Sequence, residues 1–166
     1  GIMKAVYITI LTSLALTGCG GGGGGGGSAV VKPTPASFET TEYNAQYGLG
    51  KIKASEIYSD GYSGSGVTVA VLDTGVDLDH PDLIDNIASG GYDYVDNDSD
   101  ANPNGQGDYM SHGTHVAGTI AGMKNETGMH GVAYGAKILS LRNAISSGSV
   151  SSSATINAYS GAISKG

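Results

Sequence analysis

Asp73 and His112 are the residues of this chain best placed to do chemistry, because each stands inside a long ordered motif. Val69 to Leu83 reads Val-Ala-Val-Leu-Asp-Thr-Gly-Val-Asp-Leu-Asp-His-Pro-Asp-Leu, and Ser111 to Gly122 reads Ser-His-Gly-Thr-His-Val-Ala-Gly-Thr-Ile-Ala-Gly. An imidazole titrates near neutral pH, so it can take a proton from a hydroxyl as that hydroxyl attacks. A buried carboxylate can hold the imidazole in one tautomer. In this pairing His112 would act as base and then as acid, and Asp73 would orient the ring.

Taken in this order, the two motifs resemble those of subtilisin-like serine proteases, the subtilases. Asp-Thr-Gly by itself also occurs in aspartic proteases and in plain turns. The apolar run before it and His80-Pro81-Asp82-Leu83 after it favour the subtilase reading. A zinc site made of His80, His112 and His115 is the other alternative. A zinc protease helix needs His-Glu-x-x-His, and no Glu lies between His112 and His115. The resemblance implies that His115 is a packed structural residue. It further implies a doubly wound α/β fold, peptide or protein substrates, and a triad in the chain order Asp, His, Ser. The segment Ser147-Gly148-Ser149 matches the part of the family fold that pairs with an extended substrate, although a plain polar turn fits the same residues.

No Gly-Thr-Ser-Met-Ala or Gly-Thr-Ser-Leu-Ala stretch occurs in the 166 residues. The expectation is the N-terminal part of a larger serine endopeptidase precursor, inactive without its serine and its oxyanion-hole asparagine. An alternative of another class is a short surface lipoprotein that has lost catalysis and serves as a calcium-dependent binding or adhesion module.

Calcium is the second theme. Asp96-Asn-Asp-Ser-Asp-Ala-Asn102 places oxygen ligands on alternate residues, the spacing by which a tight loop wraps a hard cation. With Asp93, the side chains of Asp96, Asp98, Asp100 and Asn102 resemble an accessory calcium loop of some thermostable subtilases. A solvated acidic loop fits equally well. The resemblance implies a further calcium site in which Asp82 and the Asn125 side chain join the carbonyls of Met123, Thr127 and Met129.

The formal charge of −7 argues against a nucleic-acid partner, which needs a basic face. The lone cysteine, Cys19, cannot form an internal disulfide. It follows Lys4, an apolar run from Ala5 to Leu16, and Leu16-Thr17-Gly18. That run has the length of a signal-peptide core and is too short to span a bilayer. Leu-Thr-Gly-Cys resembles the lipobox of bacterial lipoproteins; an ordinary signal with an incidental cysteine is the alternative. Gly20 to Gly27 would then be a flexible tether. The expected organisation is a lipoprotein signal over 1–18, a lipidated Cys19 with a Gly-rich linker over 19–42, and a partial catalytic domain over 43–166. The lead-in from Glu42 to Leu49, the Tyr62-Ser63-Gly64-Ser65-Gly66 run and the stretch from Val71 to Asp79 resemble the autotransporter branch, some members of which also begin with a lipobox and glycine run; this resemblance is to the branch as a whole. It implies a Gram-negative outer membrane or cell surface, membrane contact through lipid at Cys19, and a C-terminal β-barrel.

These residues need a scaffold. The sequence predicts a helix over Gly48 to Tyr58 with Ile52 and Ile57 facing inward, and a turn over Gly61 to Gly66. Val67 to Leu72 reads as a strand buried on both faces, ending at Asp73. Gly91 to Val95 and Lys137 to Arg142 read as further strands. His112 to Ala121 reads as a helix beginning at or just after Ser111, in which Gly113, Gly118, Ala117 and Ala121 permit close packing. Ser153 to Ile163 reads as a last helix, with Ile156, Tyr159 and Ile163 on one face. Strands alternating with helices predict the doubly wound layer.

Overall fold

The computed structural model describes residues 31–105, 108–145 and 147–165. The leader, Cys19 and the glycine run lie outside the described residues. Three short helices come first: α1 (Thr41–Ala45), α2 (Tyr47–Lys51) and α3 (Ala54–Ser59). There follow β1 (Thr68–Asp73), β2 (Tyr92–Asp93), α4 (His112–Ala121), β3 (Lys137–Arg142) and α5 (Ser152–Lys165).

The three described strands form one parallel sheet in the order β1-β3-β2. β3 is central, and all of it but Lys137 is buried. Side-chain alternation sends Val69, Val71 and Ile138 to one face, where Ala117 and Ala121 of α4 pack on them. Ala70, Leu72, Leu139 and Leu141 point to the other face, against Ala158 and Ala162 of α5. A parallel sheet with a helix on each face is the doubly wound arrangement, present here in part. A third apolar cluster joins Tyr43, Leu49, Ala54 and Tyr58 of the N-terminal helices.

The structure corrects several expectations. The helix over Gly48 to Tyr58 is two helices, because Lys53 takes a left-handed conformation at φ 56°. That turn rotates the second helix, so Leu49, Ala54 and Tyr58 are buried while Ile52 and Ile57 are exposed. β1 is half-buried rather than buried on both faces, with Val71 its one buried residue, because it lies at the edge of the described sheet. On α5 the apolar face of Ile156, Tyr159 and Ile163 points outward. The buried face carries Ala154 and Ala158, whose small side chains let the helix approach the sheet. Ordered structure also begins before Tyr43, with a 3-10 helix at Pro35–Phe38.

Candidate active site

Asp73 is the last residue of β1, and Thr74-Gly75 must turn the chain sharply off the sheet. Gly75 makes that turn at φ 99°, where an added Cβ would strike the Asn102 backbone at 2.7 Å. Thr74 is buried. Its Oγ1 accepts from Gly113 N at 3.1 Å and donates to Met110 O at 3.4 Å. Thr114 Oγ1 accepts from Asp77 N at 2.9 Å, and Ser140 Oγ accepts from Val76 N at 3.1 Å. The start of α4 is thereby tied to the end of β1. Gly113 is needed for this, since a Cβ there would collide with Gly75 O.

The consequence is a contact between residues 39 apart in sequence. His112 Nδ1 lies 2.8 Å from Asp73 Oδ1 and 2.9 Å from Oδ2. Asp73 Oδ1 also accepts from Thr74 N at 2.7 Å. The ionised carboxylate accepts only, so the proton sits on Nδ1 and Nε2 is left as the basic nitrogen. The Asp73 side chain is 16% exposed and that of His112 57% exposed. The carboxylate is thus shielded while the imidazole opens to solvent.

The pair forms one wall of a cleft of about 400 Å³. Ser147 and Gly148 line it with them, and Ser149 stands outside the lining. Ala144 and Val150 are bridged, and Ile145 N donates to Ser149 O at 2.9 Å. Gly148 adopts φ 77°, and the Tyr109 ring lies 3.3 Å from where its Cβ would be. Its glycine character therefore has a conformational cause in addition to any substrate. Tyr109 is exposed and also lines the cleft, and no motif in the sequence marks it. It belongs to no periodic pattern.

Two expectations about α4 do not hold. His115 is exposed rather than packed. Gly118 faces open space, so it permits no close approach. The buried histidine is His130, enclosed by Tyr43, Tyr58 and Tyr134 at ring distances of 5.2 to 6.0 Å.

The residues proposed for calcium fall in two places. Asp82 and Asn125 meet directly, Asn125 Nδ2 to Asp82 Oδ1 at 2.9 Å. Asp82 O accepts from Met123 N at 2.8 Å, and Asn125 Oδ1 accepts from Thr127 N at 3.0 Å. Gly128 turns the loop at φ 63°, and a Cβ there would face Asp82 Oδ2 at 3.5 Å. Met129 closes this loop as an exposed residue. The acidic run is organised differently. Asp93 and Asp96 both bind the buried Arg142 guanidinium, Asp96 at 2.7 Å. The hydrogen bond from Arg142, with help from Asn104 and the Arg142 charge, holds the Asp96 carboxyl below its ordinary value. Asp98 Oδ1 and Asp100 Oδ1 accept from Asp100 N and Asn102 N at 2.8 and 3.2 Å, and Asn102 Oδ1 accepts from Leu78 N at 3.0 Å. Among the described residues no three His, Cys, Asp or Glu side chains converge as a metal-holding group.

The model of the subtilase family matches residues 64–166. The chain belongs to the subtilase family. It is 47% identical over 118 residues to subtilisin E of Bacillus subtilis, covering 71% of this chain and 29% of that protein. It is 43% identical over 122 residues to thermitase of Thermoactinomyces vulgaris, covering 73% and 41%. A solved cold adapted subtilisin-like serine proteinase superposes with a TM-score of 0.50 at 40% identity, over 60% of this subtilase chain and 33% of the other. This subtilase therefore spans well under half the length of these relatives.

Proposed function

We propose that this chain supplies the carboxylate and the imidazole of a serine endopeptidase whose nucleophile lies in sequence beyond the 166 residues. The observation that carries the reading is the two-oxygen contact from Asp73 to His112 Nδ1 on the wall of an open cleft. His112 Nε2 accepts the serine proton as the oxygen attacks the peptide carbonyl, then returns it to the leaving amine. Asp73 fixes the tautomer and stabilises the imidazolium between these steps. The backbone of Ser147-Gly148-Ser149 flanks the extended peptide. Substrates are peptides or proteins.

Calcium has a structural role in this reading. Asp82, the Asn125 side chain, and the carbonyls of Met123, Thr127 and Met129 form a donor set made wholly of oxygen, which suits a hard cation. Bound there, calcium would stiffen the loop; it takes no part in the reaction. A second ion would be held by Asp93, Asp96, Asp98, Asp100 and Asn102, in competition with Arg142 for two of these carboxylates. Lipidation at Cys19 would hold the protein in the envelope of a Gram-negative cell, as one of the autotransporter-type subtilases.

The test is to express the chain continued through its serine segment and assay peptide hydrolysis. Activity that labels with a serine-directed fluorophosphonate and requires His112 supports the proposal. A natural stop after Gly166 with calcium-dependent adhesion would favour the binding module instead.

A further inference from the structure

We propose that Asn143 sets side-chain specificity, its amide oxygen serving as acceptor for a substrate side chain that ends in a hydrogen-bond donor. This rests on the serine endopeptidase reading and deepens it. Asn143 follows directly on β3, and its backbone N donates to Asp73 O at 2.9 Å. It thus stands beside the Asp73–His112 pair and lines the same cleft, together with Leu72, Tyr109, Ala144 and Val150. Its place on the strand is one where an apolar residue would fit. Alternation puts residue 143 on the face of Leu139 and Leu141, and these two leucines join Ala158 of α5 in one apolar cluster. Asn143 ends that row at the cleft and is still only 5% exposed. Burying an amide there is costly unless both of its polar atoms find partners.

Only one of them does. Thr155 of α5 donates its hydroxyl proton to Ser151 O at 3.0 Å. A hydroxyl has a single proton, so toward any other group Thr155 Oγ1 can only accept. Asn143 Nδ2 is the group that donates to it, at 3.2 Å. This fixes which way round the amide stands, and Oδ1 is carried on the arm turned away from Thr155. Oδ1 is buried and has no hydrogen-bond partner among the described residues. An acceptor left in this state favours any ligand that brings it a donor. In the endopeptidase reading the substrate backbone runs along Ser147-Gly148-Ser149. A strand-end residue on the cleft lining is therefore left to meet a substrate side chain. The class of substrate this selects carries a donor such as an amide next to the cleaved bond, in preference to an aliphatic group of the same shape.

Hydrolysis of paired peptides by the chain continued through its serine tests this. Each position on either side of the cleaved bond is offered in turn as Asn or as Leu, which share a branched shape and differ in the donor. Wild type should favour Asn at one of these positions by about tenfold in kcat/KM, since the Leu peptide leaves the buried acceptor unpaired. Asn143→Leu should abolish or reverse that preference. A preference that survives Asn143→Leu, or a wild type with none at any position, would overturn the proposal. Asn143→Asp keeps an acceptor at the site and serves if the leucine variant does not fold. It should retain the preference for the donor and extend it to Lys; a preference for Leu in this variant would also overturn the proposal. A purely structural Asn143 would lower the melting temperature of both variants and leave the ratio between the two peptides unmoved. A continued chain that hydrolyses no peptide and takes no fluorophosphonate label would instead overturn the endopeptidase reading itself, a result separate from equal rates on the two peptides.

Discussion

Thr74 Oγ1 accepts a hydrogen bond from Gly113 N at 3.1 Å, one residue along from each member of the Asp73–His112 pair. This bond sets the spacing between the strand end and the helix start. It exists because Gly113 lacks a Cβ that would collide with Gly75 O. Gly113→Ala should therefore separate β1 from α4. Overpacking of this kind costs about 1–3 kcal/mol. The expected outcome is a lower denaturation midpoint, read by chemical unfolding, together with lost turnover in the chain continued through its serine, read by peptide hydrolysis. Unchanged values would show that the two backbones can move apart freely.

Asp73→Asn should preserve the shape of the pair and remove its charge. The amide can also leave His112 in the wrong tautomer, with its proton on Nε2. A loss of about four powers of ten in turnover is the scale known for this change in serine proteases. Measurement on the chain continued through its serine would show it. A loss smaller than tenfold would mean that Asp73 does not orient the base.

The pH dependence of stability has a marker at Tyr58. Burial, and then the nearby Tyr134 and Tyr43, raise its phenol well above the ordinary value near 10. Its hydroxyl donates to Val132 O at 2.8 Å, so the protonated form is the one the fold keeps. With the folded value raised, the stabilisation is fully present below about pH 10 and falls as pH rises toward the folded value. Tyr58→Phe should cost about 1 kcal/mol at neutral pH. It should also flatten the alkaline decline in stability. A variant with the same alkaline slope as wild type would place that slope elsewhere.

Gly148→Ala tests the part of the cleft lining outside the pair. At φ 77° an L residue is strained, and its Cβ would press on the Tyr109 ring. The cost of the left-handed conformation alone is about 1–2 kcal/mol. If this turn meets substrate, KM of the chain continued through its serine should rise several-fold for extended peptides, with kcat little changed. An unchanged KM would assign Ser147 to Ser149 to the plain-turn reading.

Where the sequence and the structure agree, the cause is local. α4 and β3 occupy the residues predicted from pattern, His112–Ala121 and Lys137–Arg142. The central strand of a parallel sheet reads as a continuous apolar run, and a helix rich in Gly and Ala reads as a close-packed one. The misses have other causes. Ile156, Tyr159 and Ile163 share a face by periodicity, but periodicity does not say which face meets the sheet; Ala154 and Ala158 do. His115 and Gly118 follow the family motif and yet face outward here. The contacts of Glu42 and Arg142 are not legible in the sequence because their partners are distant: Glu42 meets Asn125 across 83 residues, and Arg142 meets Asp93 across 49. Such pairings leave no trace in spacing. Asp73 and His112 are also distant in sequence, 39 residues apart, but each carries its own motif.

Turnover by the chain continued through its serine segment, with His112 intact and with His112→Ala, decides whether His112 is the base. Wild type should hydrolyse peptides and label with a fluorophosphonate. His112→Ala should lose about six powers of ten in kcat, the scale seen when a subtilisin loses its base. Near-full activity in His112→Ala would contradict this role, since some other group would then be taking the serine proton.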